Sequence, residues 1–263
     1  MTDTINLPKL DLQKTITEIE NFIIEKINET KTDGLILGLS GGIDSTLVAF
    51  LAQKAIGSEN ILGITMPTST TSKADLDDAQ KVADLLGIEY EVINIDKITD
   101  SFITICPHES TKLAEGNLKA RIRMSILYHH ANSMNRLVIG TSNRSELLVG
   151  YFTKYGDGAS DLIPIGDLYK TQVWEISQEL GIPNEIIKKA PTAGLQENQT
   201  DEEELGIDYI TLDKLLYGLF DLKIDDESVS RKLDLPLSEV QRIKSIVKKS
   251  EHKRKMAPIL RVR

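Results

Sequence analysis

The fold of this chain is decided by residues 35–52, LILGLSGGIDSTLVAFLA. An apolar run leads into Ser-Gly-Gly at residues 40–42, and an apolar helical pattern begins at Leu47. This order predicts a buried strand, a tight loop and a helix. Adjacent glycines let successive backbone N–H groups point toward one place, and the start of the following helix adds roughly half a positive charge. We therefore predict an anion-binding loop at this helix start.

The hexapeptide SGGIDS, residues 40–45, differs from both common phosphate loops, since it has neither a Gly-Lys-Ser/Thr ending nor a GxGxxG pattern. After a strand it resembles the pyrophosphate loop of the ATP pyrophosphatases, which cleave ATP between its α- and β-phosphates and activate a substrate as its adenylate. A carboxylate beside bound phosphates needs a cation between them, so Asp44 is a candidate Mg²⁺ ligand. The alternative is that Asp44 or Ser45 only caps the helix and the glycines form an ordinary turn.

Composition limits the class of protein. A chain of 263 residues is long enough for one main domain. Its net charge of -9 disfavours nucleic acid or an anionic membrane as the main partner. We expect a single domain over residues 1–263, with a nucleotide-binding core at about 30–190 and a helical region with a basic tail at about 191–263. The single cysteine excludes an internal disulfide and a cysteine-rich zinc site. No signal peptide or long apolar run is visible, so a cytoplasmic protein is expected.

Strand and helix patterns alternate from the first helix to residue 140. We predict an α/β fold, a Rossmann-like doubly wound parallel sheet with helices on both faces and a small helical C-terminal region. A fourth strand packed on the other side of the first would create a switch point and put Thr141 beside the loop at residues 40–45. Further strands are predicted at residues 61–66, 90–95 and 136–140, and helices at 9–31, 73–86, 97–105, 117–134, 169–180, 184–189, 208–220 and 236–250.

Several further motifs follow in a fixed order: GNLKARIRM at 116–124, GTSNRSELLVGYFTKYGDGASDLIPIGDLYKT at 140–171, APTAGL at 190–195 and EHKRKMAP at 251–258. Together with SGGIDS they resemble the ammonia-dependent NAD synthetases, over most of the chain. The resemblance implies a C–N bond-forming ligase that amidates nicotinic acid adenine dinucleotide (deamido-NAD) with ammonia, the last step of NAD biosynthesis. ATP is the co-substrate, Mg²⁺ the cofactor, AMP and pyrophosphate the products, and an adenylate the intermediate. It also implies a homodimer.

The same resemblance implies roles for individual residues. The residues expected at ATP are Gly38, Leu39, Ser40, Gly41, Gly42, Ile43, Asp44, Ser45, Thr141, Lys170 and Thr192. Those expected at deamido-NAD are Arg121, Lys154, Asp161, His252 and Lys253. Mg²⁺ would bind Asp44 and Glu146, and the catalytic pair would be Asp44 and Lys170. The stretch between Thr141 and Glu146 varies within the family, so no role follows for Asn143 or Arg144.

The residue types themselves leave plainer interpretations open. Glu146 fits a solvated glutamate at a helix start, and Lys154 fits an exposed loop lysine. The basic tail at residues 252–255 fits a mobile chain end as well as a segment folded over an anionic dinucleotide. Lys170 is different, because a cation in the first turn of a helix is unfavourable unless an anion lies nearby.

Other functions remain possible at this stage. A tRNA-thiolating enzyme or a GMP synthetase could share the loop, but thiolation usually needs cysteines and a basic surface. A non-catalytic nucleotide sensor on the same fold would bind ATP without turnover. The only thiol, Cys106, has no accompanying catalytic pattern, so we expect it to be a small buried apolar group. Ammonia rather than glutamine is then the expected nitrogen donor.

Overall fold

The computed structural model describes residues 4–190 and 200–262. Its sheet has four parallel strands: β1 (Leu35–Gly38), β2 (Ile61–Thr65), β3 (Glu89–Val92) and β4 (Leu137–Val138). The strand order is β3-β2-β1-β4, so β4 pairs with β1 on the side opposite β2. The predicted doubly wound α/β sheet with its switch point is confirmed.

The helices of the described residues account for most of the predicted pattern. They are α1 (Leu12–Thr30), α2 (Ile43–Ile56), α3 (Lys73–Leu86), α4 (Asp96–Ile105), α5 (Lys112–Ser133), α6 (Arg144–Val149), α7 (Lys170–Glu179), α8 (Asn184–Ile187), α9 (Asp201–Leu205), α10 (Tyr209–Leu216), α11 (Asp226–Leu233) and α12 (Leu237–Ser250). For α6 only a helix start at Glu146 was predicted. Helices α9 and α11 were not predicted. Each of these helices has eight residues or fewer, too short for a helical repeat of apolar residues to be recognised.

Alternate residues of β1 face opposite sides of the sheet, as the twofold period of a strand requires. Leu35 and Leu37 are buried with α1, α2 and α7, whereas Ile36 is buried with Ile122 and Ala131 of α5. Both faces are therefore covered by helices, which explains why β1 is a continuous apolar run.

The C-terminal helices form a core of their own. Tyr209 and Leu212 of α10 are completely buried with Val229 of α11 and Val240 of α12. Ile5, only 4% exposed, joins this core from the start of the chain. No helix within residues 4–190 and 200–262 combines the length and the apolar character needed to cross a membrane.

Two expectations from the sequence, the length of β4 and the burial of Cys106, differ from the structure. β4 is shorter than predicted because the chain beyond it pairs irregularly: Ile139 bridges Leu162, and Asp161 N–H donates to Val138 O at 2.9 Å. Cys106 is exposed rather than buried, because it follows the last residue of α4 at the surface. The expectation of a buried apolar thiol was wrong.

Candidate functional site

The loop at residues 40–42 has the predicted position between β1 and α2, and its shape is fixed by its own groups. Gly41 has φ +78°, and a Cβ there would lie 2.3 Å from Asp75 O of α3, so only glycine fits. Ser45 Oγ accepts a hydrogen bond from Ser40 N–H at 3.2 Å and donates one to Gly42 O at 3.1 Å. Gly42 is the N-cap of α2 and no side chain caps the helix, so the interpretation of Asp44 or Ser45 as a mere cap does not hold.

A buried lysine connects the loop to the segment after β4. Lys170, the first residue of α7, is 1% exposed, and its Nζ donates to Asp44 Oδ2 and lies 3.6 Å from Glu146 Oε1. Burial opposes its charge, but Asp44 and Glu146 outweigh burial and raise the pKa of Lys170. Burial, together with the negative charge of Asp44, raises the pKa of Glu146 to about 8, although Lys170 acts against this. The anion expected near Lys170 is thus a pair of carboxylates.

Asn143, for which no role was predicted, holds these groups in place. It is completely buried, and its Nδ2 donates to Asp44 Oδ1 at 2.9 Å. Its Oδ1 accepts from Glu146 N–H at 3.0 Å, while Glu146 Oε2 accepts from Asn143 N–H at 3.3 Å. This reciprocal pair is a capping box at the start of α6. The Asn-x-x-Glu spacing was a usable signal for that cap, but not for the contact with Asp44.

Asp213 of α10 is a second residue that sequence reasoning missed. Its carboxylate is fully buried and accepts from Ser145 Oγ at 2.5 Å and from both N–H and Oγ1 of Thr171 at 2.8 Å. Ser145 Oγ in turn accepts from Lys170 N–H at 2.9 Å. Burial raises the pKa of Asp213 to about 6 despite these hydrogen bonds. The carboxylate therefore joins the first turns of α6 and α7 at a cost in desolvation.

A second group of basic residues lies at the other end of α6. Arg121 Nη2 donates to Lys154 O at 3.3 Å, and Lys154 Nζ donates to the carbonyls of His252 and Lys255 at 2.5 and 2.9 Å. Lys253 Nζ donates to the carbonyl of Gly150, the C-cap of α6, at 2.7 Å. The structure thus brings together Arg121, Lys154, His252 and Lys253, and the start of the basic tail is docked on the domain rather than free.

Asp161 lies apart from this second group. Its Oδ2 accepts from Val138 N–H at 2.8 Å and its Oδ1 accepts from Tyr128 O–H at 3.2 Å, so the carboxylate supports the edge of the sheet at β4. Tyr128 is two turns beyond Arg121 on α5, which is about 10 Å along the helix. Thr141, half-buried, lies two residues before Asn143 at the sheet edge. Thr192 lies outside the described residues.

The fold and the site together indicate the class of protein. A glycine loop at the carboxyl edge of a doubly wound sheet, beside a carboxylate–lysine–carboxylate group, is typical of a nucleotide-dependent α/β enzyme. A family model described as NAD synthase matches residues 15–257. The chain therefore belongs to the NAD synthase family, and the predicted ligase that amidates in NAD biosynthesis is confirmed at that level.

Individual relatives agree with this family. The NH(3)-dependent NAD(+) synthetase of Thermococcus sibiricus is 53% identical over 247 residues, which cover 94% of this chain and 96% of that protein. A solved NMN synthetase from Francisella tularensis has a TM-score of 0.86 at 34% identity and covers 96% of this chain and 99% of its own. The NH3-dependent NAD synthetase of Campylobacter jejuni, solved with a nitrate ion, has a TM-score of 0.82 at 38% identity and covers 96% and 100%.

Proposed function

We propose that the chain amidates deamido-NAD with ammonia, using ATP to form an adenylated intermediate and releasing AMP and pyrophosphate. The observation that carries this proposal is the contact of Lys170 with Asp44 and Glu146 beside the loop at residues 40–42, in a member of the NAD synthase family. An anion-binding loop next to two carboxylates suits a nucleotide that arrives with a cation.

The residues fit Mg²⁺ as that cation. Mg²⁺ prefers carboxylate oxygens and usually binds through one or two of them together with substrate phosphates. Asp44 and Glu146 supply such oxygens. Burial and the charge of Asp44 raise the pKa of Glu146 to about 8, so a cation added beside Lys170 would favour the ionised carboxylate. Within the described ranges no group of three or more His, Cys, Asp or Glu residues is arranged for a metal, which agrees with a site completed by the nucleotide. When bound, the ion would neutralise charge on the departing pyrophosphate.

The protein's own groups then act by orientation and charge. The loop at residues 40–42 and the start of α2 would face the phosphates, and Lys170 would stabilise charge on the α-phosphate side. The substrate carboxylate oxygen attacks the α-phosphorus as the bond to pyrophosphate breaks. Ammonia then forms the C–N bond, the acyl–oxygen bond to AMP breaks, and the nitrogen loses a proton to solvent. No protein nucleophile is required, and catalysis consists mainly of positioning.

Arg121, Lys154, His252 and Lys253 are proposed to bind the dinucleotide. Three of them present cationic side chains from α5, the loop after α6 and the basic tail, and a dianionic pyrophosphate suits such a group. Asp161 is proposed for the same ligand on the family resemblance. A homodimer and a cytoplasmic location belong to this proposal, and the acidic chain gives no support for a nucleic acid or a membrane as partner.

A second substrate has one specific observation in its favour. The solved structure with a TM-score of 0.86 to this chain is described as an NMN synthetase, so nicotinic acid mononucleotide is a competing substrate for the same chemistry. The basic group at the far end of α6 favours the longer dinucleotide, since a mononucleotide has no second nucleotide half to place there.

The test is to measure AMP, pyrophosphate and amide product with purified protein, ATP, Mg²⁺ and ammonium, with deamido-NAD or nicotinic acid mononucleotide as acceptor. We expect stoichiometric AMP, pyrophosphate and NAD with deamido-NAD, and a much lower kcat/KM with the mononucleotide. Preference for the mononucleotide would replace the proposed substrate. ATP binding without AMP release under all conditions would instead support a nucleotide sensor.

A further inference from the structure

Arg144, to which the family resemblance gives no role, contacts Asp221 and Tyr169, and its Nη1 also donates to the exposed carboxylate of Asp167 at 2.5 Å. Its Nη2 donates to Asp221 Oδ1, and Tyr169 O–H donates to Asp221 Oδ2, so the two donors share one carboxylate. The Arg144 guanidinium carbon lies 5.4 Å from the centre of the Tyr169 ring. The Arg144 and Asp221 side chains are only 25% and 27% exposed. We call Arg144, Asp221 and Tyr169 the Arg144 triangle.

The triangle lies between the two helix starts that form the candidate active site. Arg144 is the first residue of α6 and follows Asn143, the N-cap that contacts Asp44. Tyr169 is the N-cap of α7 and precedes Lys170. Arg144 N–H also donates to Leu168 O at 2.8 Å, so backbone and side chain both tie the start of α6 to the start of α7.

Asp221 reaches the triangle through an irregular turn. Residues Tyr217–Asp221 form a π-helical turn directly after α10. Such turns are rare and occur frequently at functional sites, because the altered spacing redirects side chains at some cost to the helix. Here the turn ends at the carboxylate that Arg144 and Tyr169 share.

We propose that Arg144 is a positioning residue for ATP and cation binding. The triangle fixes the first turns of α6 and α7 relative to each other, and hence the position of Glu146 relative to Lys170. An arginine suits this task because its planar fork bonds a carboxylate while its face stacks on an aromatic ring, which lysine does not reproduce. The inference rests on the proposed function, since that function assigns Lys170 to ATP and Glu146 to its cation.

The first test needs no turnover. In the free protein, Arg144→Gln should speed hydrogen exchange about tenfold at the amides of Glu146, Lys170 and Thr171, because the two helix starts open more often. Arg242→Gln is the matched control: Arg242 makes a fork of 2.8 and 2.6 Å with Glu239 of α12, and its Nη2 also donates to Leu205 O of α9 at 2.8 Å. The control should leave those three amides unchanged. Unchanged exchange in Arg144→Gln would overturn the proposal.

The second test separates positioning from loss of folded protein. Arg144→Gln should raise the KM for ATP and the half-saturating Mg²⁺ concentration about tenfold, with the KM for deamido-NAD and ammonium within about twofold. Arg242→Gln should change none of these ratios. Equal effects on all substrates would mean a structural role only and would overturn the proposal. Asp221→Asn breaks the same ion pair and should give the same pattern if Arg144→Gln does not fold.

The two failures are distinguishable. Wild-type protein that forms no AMP and pyrophosphate contradicts the proposed function, and the exchange experiment then decides the role of Arg144 alone. Active wild-type protein with unaltered ATP and Mg²⁺ constants in Arg144→Gln contradicts only the role of Arg144.

Discussion

Asp44 and Asn143, 99 residues apart in the chain, are joined by a hydrogen bond of 2.9 Å from Nδ2 to Oδ1. The bond connects the first turn of α2 to the N-cap of α6, and these two segments follow the adjacent strands β1 and β4. One oxygen of Asp44 is thereby held by the amide and the other by Lys170. The orientation of the proposed metal ligand thus depends on a residue that is buried and uncharged.

Asn143 can be tested by separating its two contacts. Asn143→Ser keeps a side-chain cap for α6 but is too short to reach Asp44, so we expect at least about tenfold lower kcat/KM for ATP. Asn143→Ala loses the cap as well and should be less stable than Asn143→Ser by about 1 kcal/mol. Urea unfolding and pyrophosphate release measure the two effects. Wild-type activity in Asn143→Ser would contradict the orienting role.

Asp44→Asn should remove turnover, because an amide is a poor ligand for Mg²⁺ and no longer offsets the charge of Lys170. It should also lower the free energy of unfolding by roughly 3–5 kcal/mol, since a buried lysine then keeps only Glu146 as counter-charge. Pyrophosphate release and urea unfolding are the measurements, with Asp84→Asn at an exposed position of α3 as control. Activity within a few fold of wild type would contradict the assignment of Asp44.

Asp213 predicts a pH dependence of stability. Its pKa is raised from 3.8 to about 6 in the folded protein, so the fold binds this proton more tightly than the unfolded chain does. Wild type should therefore lose stability relative to Asp213→Asn as pH rises from about 4 to 6. The loss in unfolding free energy should be on the order of 3 kcal/mol, and the difference should stay constant above about pH 7. Chemical unfolding of both proteins at each pH measures it. A difference independent of pH would show that Asp213 has an ordinary pKa.

The nitrogen donor can be tested through the only thiol. Cys106 is exposed after α4, and glutamine-dependent amidation needs a cysteine nucleophile. Cys106→Ser should keep at least about half of the ammonium-dependent rate, and wild type should form little NAD from glutamine. The assay compares NAD formation from the two nitrogen sources without added glutaminase. Equal rates from glutamine in wild type and their loss in Cys106→Ser would reverse this prediction.

What could be predicted from the sequence was local. The glycines at residues 41 and 42 lie between a strand and a helix in one short stretch. Helices α1 to α5 each have ten residues or more, long enough for an apolar repeat at helical spacing to be recognised. Asn143 and Asp213 were missed because their roles lie in contacts to segments 99 and 68 residues away, between Asn143 and Asp44 and between Asp213 and Ser145. Nothing in the local pattern of a buried asparagine or aspartate predicts such a partner.

Helix α6 is six residues long, about 9 Å, and each end belongs to a different group of residues. Glu146 near its start faces Asp44 and Lys170, while Gly150 past its end binds the ammonium of Lys253. A helix of this length neither stretches nor shortens. If the first group binds ATP and the second binds the acceptor substrate, the length of α6 sets the distance between the two binding sites. A substrate bound at Lys253 must then be long enough to reach ATP, and a shorter substrate is not.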